Sequence, residues 1–175
     1  MESNSKVVIV PTYNEKENVE KIIRKVMSLD GFFHVLIVDD GSPDGTGGIV
    51  KELIKEFPDR LHIIERQGKL GLGTAYITGF KWALGNGYSH VFEMDADFSH
   101  NPDDLLNLYA ACVEGADLSI GSRYISGVNV VNWPMGRVLM SYFASAYVRF
   151  VTGMKIMDTT AGFKCYIKSS KSNRS

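Results

Sequence analysis

The sequence predicts an α/β fold: an open, mostly parallel sheet with helices on both faces. Two observations carry this. Short apolar runs rich in β-branched residues recur along the chain without strict alternation, as strands buried on both faces do. Between them lie segments whose apolar residues repeat with the helical period, so strand and helix alternate. At 175 residues the chain is long enough for one core of ordinary size and too short for two large domains.

The elements follow in order. Val7–Val10 reads as the first strand and runs into Pro11, which cannot continue a ladder. Val19, Ile22, Ile23, Val26 and Met27 repeat on one helical face, with Asn14 and Glu17 spaced as a capping box and Gly31 as a stop. Val35–Val38 is the second strand. Thr46 is placed to cap a helix whose Ile49, Leu53, Ile54 and Phe57 share a face before Pro58. Leu61–Ile64 is the third strand, followed by a helix over about 74–84 that Gly85-Asn86-Gly87 ends. Val91–Met94 is the fourth strand. Asn101-Pro102-Asp103-Asp104 opens a fourth helix carrying Leu105, Leu106, Leu108, Tyr109 and Cys112, and Leu118–Ile120 is a fifth strand. The polar segment 169–175 reads as a disordered tail after a domain of residues 1–168.

Composition removes several function classes. Hydrophobic residues at 45% and charged residues at 22% are those of a globular chain, not of a disordered or collagen-like one. Nineteen basic against 20 acidic side chains leave a net charge of −1, without the cationic surplus that neutralises a nucleic-acid backbone. Two cysteines, Cys112 and Cys165, are too few for a disulfide framework and fit a reducing, cytosolic setting. The N-terminus lacks a signal-peptide core, and the uncharged stretch between Arg137 and Arg149 spans 11 residues. A bilayer crossing needs ~20.

Ligands of open parallel sheets sit outside the carboxyl ends of the strands, so the residues found there are the candidates. After the first strand, Tyr13 offers a flat face on which a planar base could stack, while Asn14 reads equally well as a cap. After the second come Asp39 and Asp40, two adjacent carboxylates that are costly behind a buried strand unless donors or a cation serve them; a ribose or base edge would supply donors. Asp44 and Thr46 read as helix caps. After the fourth, Asp95-Ala96-Asp97 puts two carboxylates on one side of an extended chain, their α-carbons about 7 Å apart, suited as hard oxygen donors to Mg²⁺ or Mn²⁺. Gly71-Leu72-Gly73 resembles a phosphate-approaching turn but lacks the dinucleotide fingerprint, since Tyr76 stands where the third glycine belongs; a close-packing turn is expected, with Lys69 adding a cation. Arg123 follows the fifth strand and suits phosphate oxygens. The four histidines, His34, His62, His90 and His100, are scattered without pairing, three of them as polar strand edges.

Six motifs taken together are similar to a known family: Pro11-Thr-Tyr-Asn-Glu15, Asp39-Asp40-Gly-Ser-Pro-Asp-Gly-Thr46, Gly71-Leu-Gly-Thr-Ala75, Asp95-Ala-Asp97, Gly121-Ser-Arg123-Tyr124 and Asp158-Thr-Thr-Ala-Gly-Phe163. They resemble the family 2 glycosyltransferases of GT-A fold, and among these the dolichol-phosphate (polyprenyl-phosphate) mannose synthases, over about residues 6–168. The resemblance implies that Pro11, Tyr13, Glu15, Val38 and Asp40, with Asp39 beside them, bind the nucleotide of GDP-mannose. It implies that Asp95, Ala96 and Asp97 face the diphosphate, that Asp97 assisted by Asp95 holds the divalent cation, and that Arg123 lies near the phosphates. Ser99 stands where some relatives carry a ligating glutamine, and Arg137 matches a second contact for the acceptor phosphate.

The activity so implied is inverting transfer of mannose to dolichyl or polyprenyl phosphate. An ionised phosphate monoester needs no general base, in keeping with the absence of a Ser-His-Asp constellation. Leu139, Tyr142, Phe143, Ala146, Tyr147 and Phe150 form an amphipathic stripe that serves either a membrane surface or the domain's own core. Peripheral association with the cytoplasmic face of a membrane is expected, with any anchoring subunit unspecified. The rivals are a lipid-phosphate hexosyltransferase of the same fold using another nucleotide sugar, and a non-catalytic nucleotide-sugar binding module.

Overall fold

The computed structural model describes residues 5–121 and 161–168, together with residues 140, 143, 144, 147, 148, 150 and 151. Among them the order is β1 (Lys6–Thr12), α1 (Val19–Met27), β2 (His34–Asp39), α2 (Thr46–Glu56), β3 (Leu61–Glu65), α3 (Leu72–Gly85), β4 (His90–Glu93), α4 (Asp104–Val113), β5 (Leu118–Ile120) and β6 (Lys164–Ile167). The sheet order is β3-β2-β1-β4-β6-β5. β1 pairs in parallel with β2 and β4, and β2 with β3, whereas β6 is antiparallel to both β4 and β5. The predicted mostly parallel sheet with helices is therefore present.

Both faces of the central strands are covered, which explains why their apolar runs do not alternate with polar residues. Val8, Val10, Val35, Ile37 and Phe92 pack with α1, α2 and α4 in one core. Val7, Ile9, Leu36, Val38 and Val91 pack with α3 on the opposite face. Helix α3 comes close to β1 at Gly79, where a Cβ would lie 2.6 Å from Ile9 Cγ2. The expected close-packing role of the Gly71–Gly73 turn thus belongs to Gly79, since a Cβ on Gly73 would meet nothing within 4 Å.

Several local expectations are corrected. Strand β6 was not foreseen, and it separates β4 from β5. This leaves β5 at the sheet edge, with Leu118 exposed rather than buried. Pro11 lies inside β1, opposite Val38. Ile9 sends its carbonyl to Met94 N on the β4 side, and Pro11, two residues on, faces that side beyond the last β1–β4 pair, so its missing N–H removes no ladder bond. Asn14 and Glu17 form no capping box: α1 starts at Val19, Asn14 has φ 59°, and the Glu15 carbonyl accepts from the N–H groups of Asn18 and Val19. Helix α1 ends at Met27 with Ser28 as its C-cap, three residues before Gly31. Thr46 is the first helical residue of α2 rather than its cap; Asp44 Oδ1 accepts from the Thr46 hydroxyl at 2.6 Å and from the Thr46 N–H at 3.0 Å, and these bonds, the hydroxyl's first, hold the Asp44 carboxyl below its ordinary value.

The histidines are not all isolated. His34 and His62 stack at 6.1 Å between ring centroids, His62 lies 4.8 Å from Trp82, and the Tyr88 hydroxyl bonds His34 Nδ1 at 2.8 Å. The sequence hides this pairing because it arises from the register of β2 against β3. Burial lowers the pKa of both rings; for His34 the neighbouring His62 and Arg60, and more weakly Lys6, lower it further, while Asp59 opposes this at both rings. A folded-state pKa below the ordinary value of about 6.5 means that the unfolded chain binds more protons on acidification. Stability is therefore fully present above about pH 6.5 and declines as pH falls toward the lowered folded values. Thermal unfolding midpoints from pH 7.5 to 5 are expected to fall, and the fall should be smaller in His62→Phe. An equal slope in the variant would show that this pair does not carry the dependence.

Candidate active site

The carboxyl ends of β1, β2 and β4 open on a cleft of about 260 Å³. It is lined by Pro11, Thr12, Tyr13 and Glu15 from the end of β1, Asp40 after β2, Lys69 to Ala75 in part, and Asp95, Ala96 and Asp97 after β4. All four motifs that lie wholly among the described residues thus contribute to one concavity.

The two carboxylates after β2 have different surroundings. Asp39 is buried and accepts from the Thr12 hydroxyl at 2.9 Å, the Ser42 N–H at 2.9 Å and the Ser42 hydroxyl at 2.6 Å. It ties β1 to the turn after β2 and does not line the cleft; Val38 likewise lies in the core. Asp40 accepts from Arg66 Nε at 2.6 Å and from the Leu70 N–H at 3.2 Å. The protein itself thus supplies hydrogen-bond donors to both carboxylates, and of the two only Asp40 also lines the cleft.

Arg66 was missed in the sequence. It directly follows β3, the position that drew attention to Arg123 after β5, and that signal was available. Its guanidinium reaches Asp40, the Thr74 hydroxyl at 2.8 Å and the Gly71 carbonyl at 3.2 Å, so one side chain joins the β2 end to the start of α3. Lys69 is placed by a different contact: its Nζ sits 4.7 Å from the centre of the Tyr13 ring, a cation and an aromatic face on the same cleft wall.

The entrance loop is pinned to its neighbour. The Asn14 N–H donates to Ser42 Oγ, the Glu15 N–H to Thr46 Oγ1 and the Lys16 N–H to Asp44 Oδ2, at 2.9, 3.1 and 3.1 Å. Glu15 Oε2 accepts from Asn18 Nδ2 at 3.0 Å.

Asp95 and Asp97 lie beyond β4, which ends at Glu93, so their convergence comes from a turn rather than from strand alternation. Phe98 in that turn has φ 56°. Asp97 is exposed and its Oδ1 accepts from the Ser99 N–H at 2.9 Å. Asp95 Oδ1 accepts from the Tyr76 hydroxyl at 3.1 Å. Ser99 is buried with its hydroxyl 3.2 Å from His100 Nδ1, and it is not among the cleft-lining residues. Among the described residues no group of three or more His, Cys, Asp or Glu side chains gathers around one point. Two exposed-side carboxylates on an open cleft nevertheless suit a hard divalent cation, which commonly takes one or two carboxylates and completes its shell from substrate phosphates and water. Arg123, Tyr124, Arg137 and Asp158–Thr160 lie outside the described residues.

The family model of Glycosyl transferase family 2 matches residues 7–172. The chain belongs to this family. It is 51% identical over 160 residues to a polyprenol monophosphomannose synthase of Mycolicibacterium smegmatis, an alignment covering 91% of this chain and 60% of the relative. It is 44% identical over 160 residues to an undecaprenyl-phosphate mannosyltransferase of Micrococcus luteus, covering 91% and 65%. A solved mannosyltransferase of Pyrobaculum calidifontis, in complex with GDP-Man and Mn²⁺, matches with a TM-score of 0.52 and 31% identity over 58% of this chain and 30% of that one. The fold of this glycosyltransferase chain is GT-A, as expected. The chain spans less than two thirds of the length of either curated relative.

Proposed function

We propose that the chain carries the catalytic site of an inverting mannosyltransferase, moving mannose from GDP-mannose to a polyprenyl or dolichyl phosphate. The observation that carries this is the convergence of Tyr13, Glu15, Asp40 and Asp95-Ala96-Asp97 on one open cleft at the carboxyl edge of the sheet. The 51% identity to a polyprenol monophosphomannose synthase supports mannose and a lipid phosphate over another hexose.

In this reading Tyr13, Glu15 and Asp40 bind the nucleoside, the last as an acceptor for base or ribose donors while Arg66 holds it in place. Asp95 and Asp97 hold Mg²⁺ or Mn²⁺, and Arg123 and Arg137 engage phosphates. The bound cation would offset diphosphate charge and favour departure of the nucleoside diphosphate. An acceptor phosphate oxygen forms the new bond to the anomeric carbon as the bond to the diphosphate oxygen breaks, giving the β-linked product from an α-linked donor. No proton need be removed, because the monoester is already ionised near pH 7. Ala96 is small and buried, leaving room for substrate between the two aspartates.

Of the amphipathic stripe, Phe143, Tyr147 and Phe150 are 63%, 69% and 89% exposed and helical, whereas Leu139, Tyr142 and Ala146 are outside the described residues. Their exposure supports peripheral contact with a membrane surface. No helix among the described residues is long and apolar enough to cross a membrane.

The test is incubation with radiolabelled GDP-mannose, Mg²⁺ or Mn²⁺ and a short polyprenyl phosphate, followed by organic extraction. Label is expected in the organic phase, lost with EDTA and unaffected by excess UDP. Efficient transfer from a UDP-sugar instead would assign the rival hexosyltransferase activity, and GDP binding without transfer to any lipid phosphate would assign a binding module.

A further inference from the structure

We propose that Tyr76 and Gly162 are positioning residues that together hold the Asp95 carboxylate in one orientation for the divalent cation. The proposal rests on the reading of Asp95 and Asp97 as cation ligands.

Tyr76 is on α3, buried at 8% exposure, and its hydroxyl donates to Asp95 Oδ1 at 3.1 Å. The neighbouring carboxylate does not compete for this donor: Glu93 Oε2 accepts from the Tyr166 hydroxyl at 3.3 Å and pairs with Lys164 Nζ at 3.4 Å. The bond from Tyr76 is thus committed to Asp95.

The other carboxylate oxygen is bounded by backbone. A Cβ on Gly162 would stand 3.1 Å from Asp95 Oδ2, tighter than ordinary contact, and 3.7 Å from its Cγ. The glycine is required for space rather than for a left-handed conformation, because its φ does not lie in that region. Asp95 therefore stands in a slot, one oxygen tethered by a phenol and the other so close to Gly162 that a Cβ there would force the carboxylate to shift by a few tenths of an ångström. A metal-ligating carboxylate held in this way keeps its geometry without reorganising when the cation arrives, and loss of such an outer partner commonly weakens metal binding by about 10- to 100-fold.

The test measures Mn²⁺ uptake by electron paramagnetic resonance, with GDP present, in wild type, Tyr76→Phe and Gly162→Ala, alongside metal-free GDP affinity. Both variants are expected to bind Mn²⁺ about tenfold or more weakly, with metal-free GDP affinity within about twofold of wild type. If one variant fails to fold, the other decides. Mn²⁺ affinity within about twofold of wild type, or a parallel loss of metal-free GDP binding, overturns the slot while leaving the functional reading intact. A wild-type chain that takes up no Mn²⁺ with GDP present defeats the functional reading and the slot with it.

Discussion

Replacing Asp97 with alanine is expected to reduce mannosyl transfer by about 10³-fold, the equivalent of about 4 kcal/mol of transition-state stabilisation. The side chain is exposed at the cleft, and its Oδ1 accepts from the N–H of Ser99, two residues away. Removing it therefore disturbs little packing, and a surface substitution of this kind stays within about 0.5 kcal/mol of wild-type stability. What is lost is one of the two carboxylates, Asp95 and Asp97, assigned to the cation. Turnover and urea unfolding measured on the same preparation separate the effects: low turnover with an unchanged unfolding midpoint is the expected pair. Turnover that persists in Asp97→Ala, or in protein stripped with EDTA, would remove the cation from the reaction.

Replacing Arg66 with alanine is expected to act first on the fold. Arg66 and Asp40 are 8% and 7% exposed at their side chains, so the truncated variant leaves a carboxylate buried beside an apolar strand without its counter-charge. Breaking such a pair from one side costs about 3–5 kcal/mol. Because the same guanidinium bonds Thr74 and the Gly71 carbonyl, the start of α3 should loosen as well, and GDP affinity should fall with it. Arg66→Lys keeps the charge but not the planar fork, and should recover part of the stability and less of the affinity. The double variant Arg66→Met with Asp40→Asn should recover stability without recovering GDP binding, since no unpaired charge remains. Denaturation of Arg66→Ala within about 1 kcal/mol of wild type would show that water, not Arg66, satisfies Asp40.

The difference between Asp39 and Asp40 shows where reading residues alone stops. Both are aspartates, Asp39 the last residue of β2 and Asp40 the next, yet Asp39 bonds Thr12 and Ser42 while Asp40 turns to Arg66 and the cleft. Neighbouring positions on an extended chain face opposite ways, and the partners on each side come from segments about 27 residues away in either direction. Val38 followed the same logic in reverse: the family resemblance put it near the nucleotide, while its side chain packs with Val7, Ile9 and Leu36.

Local pattern determined a good deal of this protein. Apolar runs without alternation marked β1 to β5, helical periodicity marked α1 to α4, and carboxylates at strand ends marked the cleft, because each depends on a side-chain period or on a residue's chemistry. The tertiary structure decided what depends on distant pairing. Strand β6 is four residues long and acquires meaning only between β4 and β5, antiparallel to both. The His34–His62 stack, the Arg66–Asp40 pair and the Tyr76–Asp95 bond each join separate elements. Their energies arise from burial and register, and neither exists until the sheet has assembled.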